Sequence, residues 1–285
     1  GFDPLSDGGL ACGLAARWTF DEGAGTAASN RVSTNWPGRL RGMAAGNWTT
    51  GRNGGALEFD GVDDVVAVAQ SNGIAVVTGA PFTVTAVLWQ EGAWTGNYPT
   101  AVSDGAYLGG SAWPGFTLRY PRGANALTLN VGAAYSLRQL SATNWLPAQA
   151  GRWVDVAFAH DGTTARLFVA GRLVAAASGA FSAAQQPELL IGGGHVNAPE
   201  SFWRGTLDDV RIYRQALATN ELAAVNDWLG DPDGDGLVNG REWQLETEPH
   251  EGDSDGDGLG DGAEVDVHGS DPLSADTDAD GLPDA

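Results

Sequence analysis

Twelve residues, 231–242, constrain this chain more than any other stretch. They read DPDGDGLVNGRE and put side-chain oxygens at the first, third, fifth, ninth and twelfth places, on Asp231, Asp233, Asp235, Asn239 and Glu242. Gly236 stands sixth, where such a loop must turn sharply, and Leu237 stands seventh, where a backbone carbonyl can join the set. About six or seven oxygens converging in this way suit a hard cation, and the spacing is that of a calcium loop. The pattern returns 22 residues later on Asp253, Asp255, Asp257, Leu259, Asp261 and Glu264. A third copy opens at Asp276 and keeps register through Asp278, Asp280, Leu282 and Asp284, reaching Ala285 before a third twelfth-place carboxylate. Glu248-Pro249 and Asp271-Pro272 each stand five residues ahead of the next loop. A disordered acidic tail would not hold Gly and Leu at fixed offsets three times, so Ca2+ is the expected cofactor.

The charge is distributed accordingly. Residues 231–285 hold 18 of the 36 acidic residues and one of the 15 basic ones, and so carry −17 of the net −21. This acidity speaks for cations as partners and against nucleic acid. Cys12 is the single cysteine, which excludes an internal disulfide and is expected to be a buried or capped thiol. No apolar run reaches the ~18 to 20 residues of a membrane span. The chain opens on Gly1 rather than Met and closes inside a loop. The expectation is a processed or partial product of a longer precursor, without its targeting segment.

Residues 1–13 are Gly-rich and unpatterned, an arm before a first strand at 14–20. Short apolar stretches follow at 56–59, 65–68, 82–89, 116–120, 127–131, 153–160, 165–169, 172–176, 189–191 and 206–213, separated by Gly, Asn, Asp and Pro. Phe82, Val84, Ala86 and Leu88 alternate with Thr83, Thr85, Val87 and Trp89, so one face is core and the other mixed. Val154, Val156 and Phe158 alternate likewise. Asp161-Gly162 and Ala170-Gly171 read as hairpin turns, which makes 153–176 a three-stranded meander. About ten or more strands, with no long helix before residue 218, close as an all-β, two-sheet antiparallel sandwich. One helix is predicted at 220–228, with Thr219 as N-cap, Glu221 in the first turn, and Leu222, Val225 and Leu229 on one stripe. The expected organisation is an arm at 1–13, a sandwich at 14–217, a connector helix at 218–230 and a repeat tail at 231–285.

Three segments carry a family resemblance: AARWTFDEGAGT at 15–26, GGALEFDGVDDVVAV at 54–68 and FWRGTLDDVRIYRQAL at 202–217. In order and spacing they resemble the laminin-G-like, concanavalin A-like jelly roll of bacterial surface proteins. That resemblance implies two curved antiparallel sheets, usually a sugar- or protein-binding module and only sometimes a hydrolase. The loops with their acidic-Pro spacers resemble the bacterial thrombospondin type 3 repeat, which implies calcium held in a string of small loops with little hydrophobic core. The tail departs from the animal repeats in having no cysteine, so metal must hold it without disulfides.

Hydrolases on such folds use paired carboxylates on alternate strand positions, as in E-x-D-x-E. The sandwich has no such run. The nearest string, Glu264-Val265-Asp266-Val267-His268, lies in the tail, where Glu264 is already assigned to calcium. Neither a G-x-S-x-G elbow nor an H-E-x-x-H pair occurs, and His160, at a strand end, reads as structural. No catalytic residue is therefore expected. Trp94, Asn97, Tyr98 and Trp113, in the loops after Trp89, are candidates for ligand binding, since aromatic faces stack on sugar rings and amides read hydroxyls. Packing is their plain alternative. Asp60, Asp63, Asp64, Asp208 and Asp209 are expected to cap turns rather than form a sandwich calcium site. Together these features lead to the expectation of a secreted or cell-surface, non-catalytic calcium-binding protein. Its jelly roll would contact a glycan or surface protein, and its tail would be a calcium-stiffened spacer. The alternatives are a self-associating subunit of an extracellular filament or sheath and, third, a fragment of a glycan-active enzyme.

Overall fold

A computed structural model describes residues 13–44, 47–52, 54–69, 80–90, 98–104, 114–120, 126–133, 136–143, 151–182, 188–194, 201–225, 231, 233–245, 247–248 and 251–285. The chain divides into two compact units, 1–218 and 219–285.

The first unit is a sandwich of two antiparallel sheets. One sheet has the order β14 (Arg172–Ser178), β13 (Thr164–Val169), β12 (Trp153–His160), β7 (Phe82–Gln90), β16 (Arg204–Tyr213), β5 (Gly55–Asp60) and β4 (Trp48–Thr50), with β1 (Leu14–Trp18) also paired to β16. The other has the order β11 (Ser136–Thr143), β10 (Ala126–Ala133), β9 (Gly115–Arg119), β8 (Thr100–Ser103), β15 (Glu188–Ile191), β6 (Val65–Ala69), β3 (Gly38–Arg41) and β2 (Ala27–Ala28). This is the two-sheet antiparallel sandwich that the alternation predicts and the jelly roll that the resemblance implies.

Phe82, Val84, Ala86 and Leu88 point into the core beside Val156 and Phe158 of the neighbouring strand, facing Phe116, Leu118, Leu127 and Leu129 of the other sheet. Phe158 meets Phe82 edge-on at 5.6 Å and Phe116 at 4.7 Å. Burying a side chain of this size is worth about 1.5–3 kcal/mol. The second face of β7 is less open than its mixed composition suggests, because Thr83, Thr85 and Val87 are also buried. Thr83 Oγ1 donates to the Gln215 carbonyl and accepts from the Leu217 amide, both at 2.8 Å, so the segment after β16 is tied across that face.

The meander of β12, β13 and β14 forms as predicted. Ala170 (φ 44°) and Gly171 (φ 74°) both take the left-handed conformation that a two-residue turn of matching twist demands. At the other hairpin Asp161 accepts from the amides of Thr163 (2.9 Å) and Thr164 (2.8 Å) and from Arg166 Nη1 (2.8 Å). Five strands, β2, β3, β4, β8 and β11, escaped the pattern. The first four have four residues or fewer, too few for alternation to register, and β11 (SLRQLSAT) is largely polar.

In the second unit, α1 runs Thr219–Val225 with Leu222 and Val225 buried on the predicted stripe; residues 226–230, including Leu229, lie outside the described set. Two further helical pieces were not expected. They are α2 (Asn239–Leu245) and α3 (Asp261–Ala263), the latter passing into a π-helical turn at Glu264–His268. Each starts at the ninth place of a loop, which carries the twelfth-place Glu back over the loop after one turn.

Candidate metal centres and ligand face

In each of the three loops the first, third and fifth aspartates bring a carboxylate oxygen within 4.8 Å of one another: Asp231, Asp233 and Asp235; Asp253, Asp255 and Asp257; Asp276, Asp278 and Asp280. Backbone amides hold them there. The Asp235 Oδ1 accepts from Leu237 N at 2.7 Å, Asp257 Oδ1 from Leu259 N at 2.7 Å, and Asp280 Oδ1 from Leu282 N at 2.9 Å. Gly236 and Gly258, both at φ 102°, make the turn that aims these amides inward; a side chain there would be strained.

The twelfth-place glutamates of the first two loops lie close enough to feel the charge of these aspartates. Glu242 and Glu264 have no exposed surface. Both Glu242 oxygens, Glu264 Oε2, Asp233 Oδ2, Asp255 Oδ2 and Asp257 Oδ2 are buried without a hydrogen-bond donor, whereas Glu264 Oε1 accepts from Ser270 Oγ at 3.1 Å. Buried carboxylate oxygens facing one another in this way are costly unless a cation lies among them. The electrostatics agree. Burial, then Asp233, Asp235, Asp261 and Asp231, push Glu242 up to about 8. Burial, with Asp255, Asp257 and Asp261 and against the Ser270 hydrogen bond, pushes Glu264 up to about 7. These residues fit Ca2+, which when bound supplies two positive charges and the oxygen bonds that the loops leave open.

The ninth place has a part that its spacing does not show. In the second loop both Asp261 oxygens are taken by Ser254, from its amide at 2.8 Å and its hydroxyl at 2.6 Å. Asp284 binds Thr277 in the same way, with the hydroxyl at 2.6 Å. These two aspartates staple the ninth place to the second and so hold the loop closed, while each carboxylate keeps lone pairs over. In the first loop Asn239 is buried, and the second place is Pro232, which lies outside the described residues. The seventh-place leucines grade outward: Leu237 is buried, Leu259 half-buried and Leu282 68% exposed, so the third loop is the least packed.

Of the ligand-face candidates, Trp94, Asn97 and Trp113 lie outside the described residues. Tyr98 is 41% exposed, with the Arg119 guanidinium carbon 4.6 Å from its ring centroid. Asp60, Asp63 and Asp64 cluster, and hydrogen bonds occupy two of them as turn caps. Asp60 Oδ1 accepts from Val62 N at 2.7 Å, and Asp64 Oδ2 from the Asp60 amide at 3.0 Å and also from Asn47 Nδ2 at 2.7 Å. Asp209 corrects the turn-capping expectation. It sits in a bulge of β16 at φ 45°, paired with Arg17 (Nε to Oδ1, 2.7 Å) and with Arg211. The signal was present as Arg17 in the opening motif and Asp-x-Arg in the closing one, yet local spacing cannot show a partner 192 residues away. His160 bridges the Gly162 amide (3.0 Å) and the Gly179 carbonyl (3.1 Å).

The chain belongs to the concanavalin A-like lectin/glucanases superfamily, whose family model matches residues 59–223; residues 253–275 match the bacterial TSP3 repeat, a calcium-binding type. No curated protein matches the sequence. Among solved structures it is similar to domain 4 of AbnA, an extracellular arabinanase from Geobacillus stearothermophilus in complex with arabinotriose. That match has 16% identity and a TM-score of 0.55, covering 75% of this chain and 98% of that one. It is also similar to the binding domain of Paraclostridial Mosquitocidal Protein 1 (10% identity, TM-score 0.58, 77% of this chain and 53% of that one). A third is Trypanosoma rangeli sialidase in complex with sialic acid (16%, 0.53, 75% and 32%). The chain thus spans about half of the toxin domain and a third of the sialidase. At these identities the likeness is one of fold.

Proposed function

We propose that this is a non-catalytic carbohydrate-binding protein of the cell surface or extracellular space, whose sandwich engages a glycan and whose repeat unit is folded by calcium into a stiff spacer. The observation that carries the calcium half is Glu242, with no exposed surface and both carboxylate oxygens without a donor beside the Asp231, Asp233 and Asp235 cluster. The carbohydrate half is supported by the superfamily and by the arabinotriose bound to the similar arabinanase domain. The non-catalytic reading is supported by the use of carboxylates in the sandwich. Asp155 is ion-paired with Arg52, and Asp209 with Arg17 and Arg211, which commits them to holding strands together. A glycan array probed with the full chain in millimolar calcium tests this reading. It should retain a restricted set of saccharides and release no new reducing ends from them. Failure to retain any saccharide, or turnover of one that is retained, would overturn it.

A further inference from the structure

In a chain of net charge −21, residues 105–154 contain no Asp or Glu at all, and four arginines, Arg119, Arg122, Arg138 and Arg152. This stretch supplies β9, β10 and β11, one end of the second sheet. Phe116, Leu118, Leu127 and Leu129 take the core side, so Thr117, Arg119, Thr128 and Asn130 share the outward side. Asn130 stands between Thr117 and Gln139, and Thr128 between Arg119 and Ser141. Every one of these outward residues is polar; Thr128 and Asn130 are buried, while Thr117, Arg119 and Ser141 are half-buried and Gln139 is exposed. Further along the same sheet the outward side is apolar, with Val65, Ala67 and Leu190 packed against Phe202.

Several arginines of the sandwich are committed to acidic partners. Arg17, Arg41, Arg52, Arg166 and Arg211 each pair with a carboxylate. No carboxylate pairs with Arg119 among the described residues. With the Asn130 amide turned so that its oxygen faces the guanidinium, it accepts from Arg119 Nη2 at 2.9 Å and Nε at 2.7 Å. That fixes the plane of the guanidinium and leaves three of its five N–H donors over. Tyr98 supports it from one side and keeps much of its own ring in solvent. Its backbone is left-handed (φ 54°), a strained state for a tyrosine, and its carbonyl is held by Thr100 Oγ1 at 2.9 Å.

We propose that Arg119 and Tyr98, with the polar outward side of β9–β11, form a binding site for a saccharide that bears a carboxylate or sulfate group. This rests on the carbohydrate-binding reading and adds the charge class and the place. A guanidinium held in a fixed plane matches a planar carboxylate through paired N–H donors and accepts sulfate oxygens by the same fork. The exposed tyrosine ring gives a sugar ring a face to stack on, and the accessible side chains of Thr117, Gln139 and Ser141 offer partners for hydroxyls. Fifty consecutive residues without an acidic side chain, carrying four arginines, favour the approach of an anionic sugar over a neutral one.

The test is an array of neutral, uronate and sulfated oligosaccharides, followed by titration of the full chain and three variants with oligogalacturonate and a sulfated oligosaccharide. Wild type should retain the uronate or sulfated members and not the neutral ones, and the affinity should fall as salt is raised. Loss of a charge-assisted hydrogen bond predicts that Arg119→Gln weakens binding about 10- to 100-fold. Tyr98→Ala should weaken it too, while Arg39→Gln, the same charge change at the far end of the same sheet, should not. Thermal melting of each variant separates lost binding from lost fold; if Arg119→Gln unfolds the sandwich, Tyr98→Ala and Arg119→Lys carry the test. Equal binding of neutral sugars, with Arg119→Gln matching wild type, would overturn this inference and leave the carbohydrate reading standing. Equal loss in Arg39→Gln, or equal retention of anionic lipid vesicles, would reduce the effect to unspecific charge and also overturn it. No saccharide bound at all would overturn both.

Discussion

Gly262 donates its backbone N–H to Asp235 Oδ2 at 2.9 Å, so the second loop helps to position a carboxylate of the first. Asp261, its neighbour, adds its charge to those that push up Glu242 of the first loop and Glu264 of its own. The two loops are therefore built against each other rather than strung independently.

A Cβ on Gly262 would collide with the Asp235 carbonyl, so Gly262→Ala should disturb the first site from within the second loop. Overpacking of this kind costs about 1–3 kcal/mol. Calorimetric calcium titration should show the first-site affinity reduced roughly 5- to 150-fold. Two sites titrating as in wild type would mean that the contact has no part in binding.

Glu242→Gln should act with opposite signs in the two metal states. Without calcium it removes a buried carboxylate from a cluster of like charges and should make the repeat unit more resistant to denaturant. With calcium it removes a ligand and should weaken the first site by at least about 1.4 kcal/mol, a factor of ten. A variant that is less stable in chelator would place Glu242 in a packing role instead.

Asp161 bears on the sandwich alone. Burial works against its charge, but donors from Arg166, Thr163 and Thr164 outweigh it and hold the carboxyl below the ordinary range. The folded state thus binds this proton more weakly than the unfolded chain. The stability it contributes is complete above the unfolded value of about 3.9 and is lost as pH falls through the folded one. Asp161→Ala should lower stability by about 1 kcal/mol at neutral pH, by analogy with loss of a cap, and by less in strong acid. Melting curves that differ equally at both pH values would show that the charge is not what matters.

What the sequence discloses here is whatever depends on short, repeated spacing. Phe82, Val84, Ala86 and Leu88 declare a core face because a strand has period two. Asp231, Asp233 and Asp235 declare a cluster because the loop's own amides fold it. What depends on distant partners stays hidden. The pairing of Asp209 with Arg17 and the contact of Gly262 with Asp235, 27 residues apart, arise only when strands or loops are assembled. The staples of Asp261 by Ser254 and Asp284 by Thr277 lie between these cases. Their seven-residue spacing repeats, but ligand spacing alone does not reveal that the ninth-place aspartate also closes the loop.

The central claim is that calcium folds the repeat unit. The acidic side chains of 231–285 repel one another, and among the described residues there few apolar ones are buried to offset that repulsion and the entropy of ordering. Folding is then linked to binding: one site at ~100 times its dissociation constant contributes about 2.7 kcal/mol. The direct measurement is limited proteolysis of the full chain, with fragments identified by mass, in millimolar calcium and in excess chelator. The account predicts that residues 231–285 are protected in calcium and cleaved in chelator, while the sandwich survives both, and that Asp233→Ala or Asp255→Ala opens its own loop even in calcium. Equal resistance of 231–285 in calcium and in chelator would contradict it.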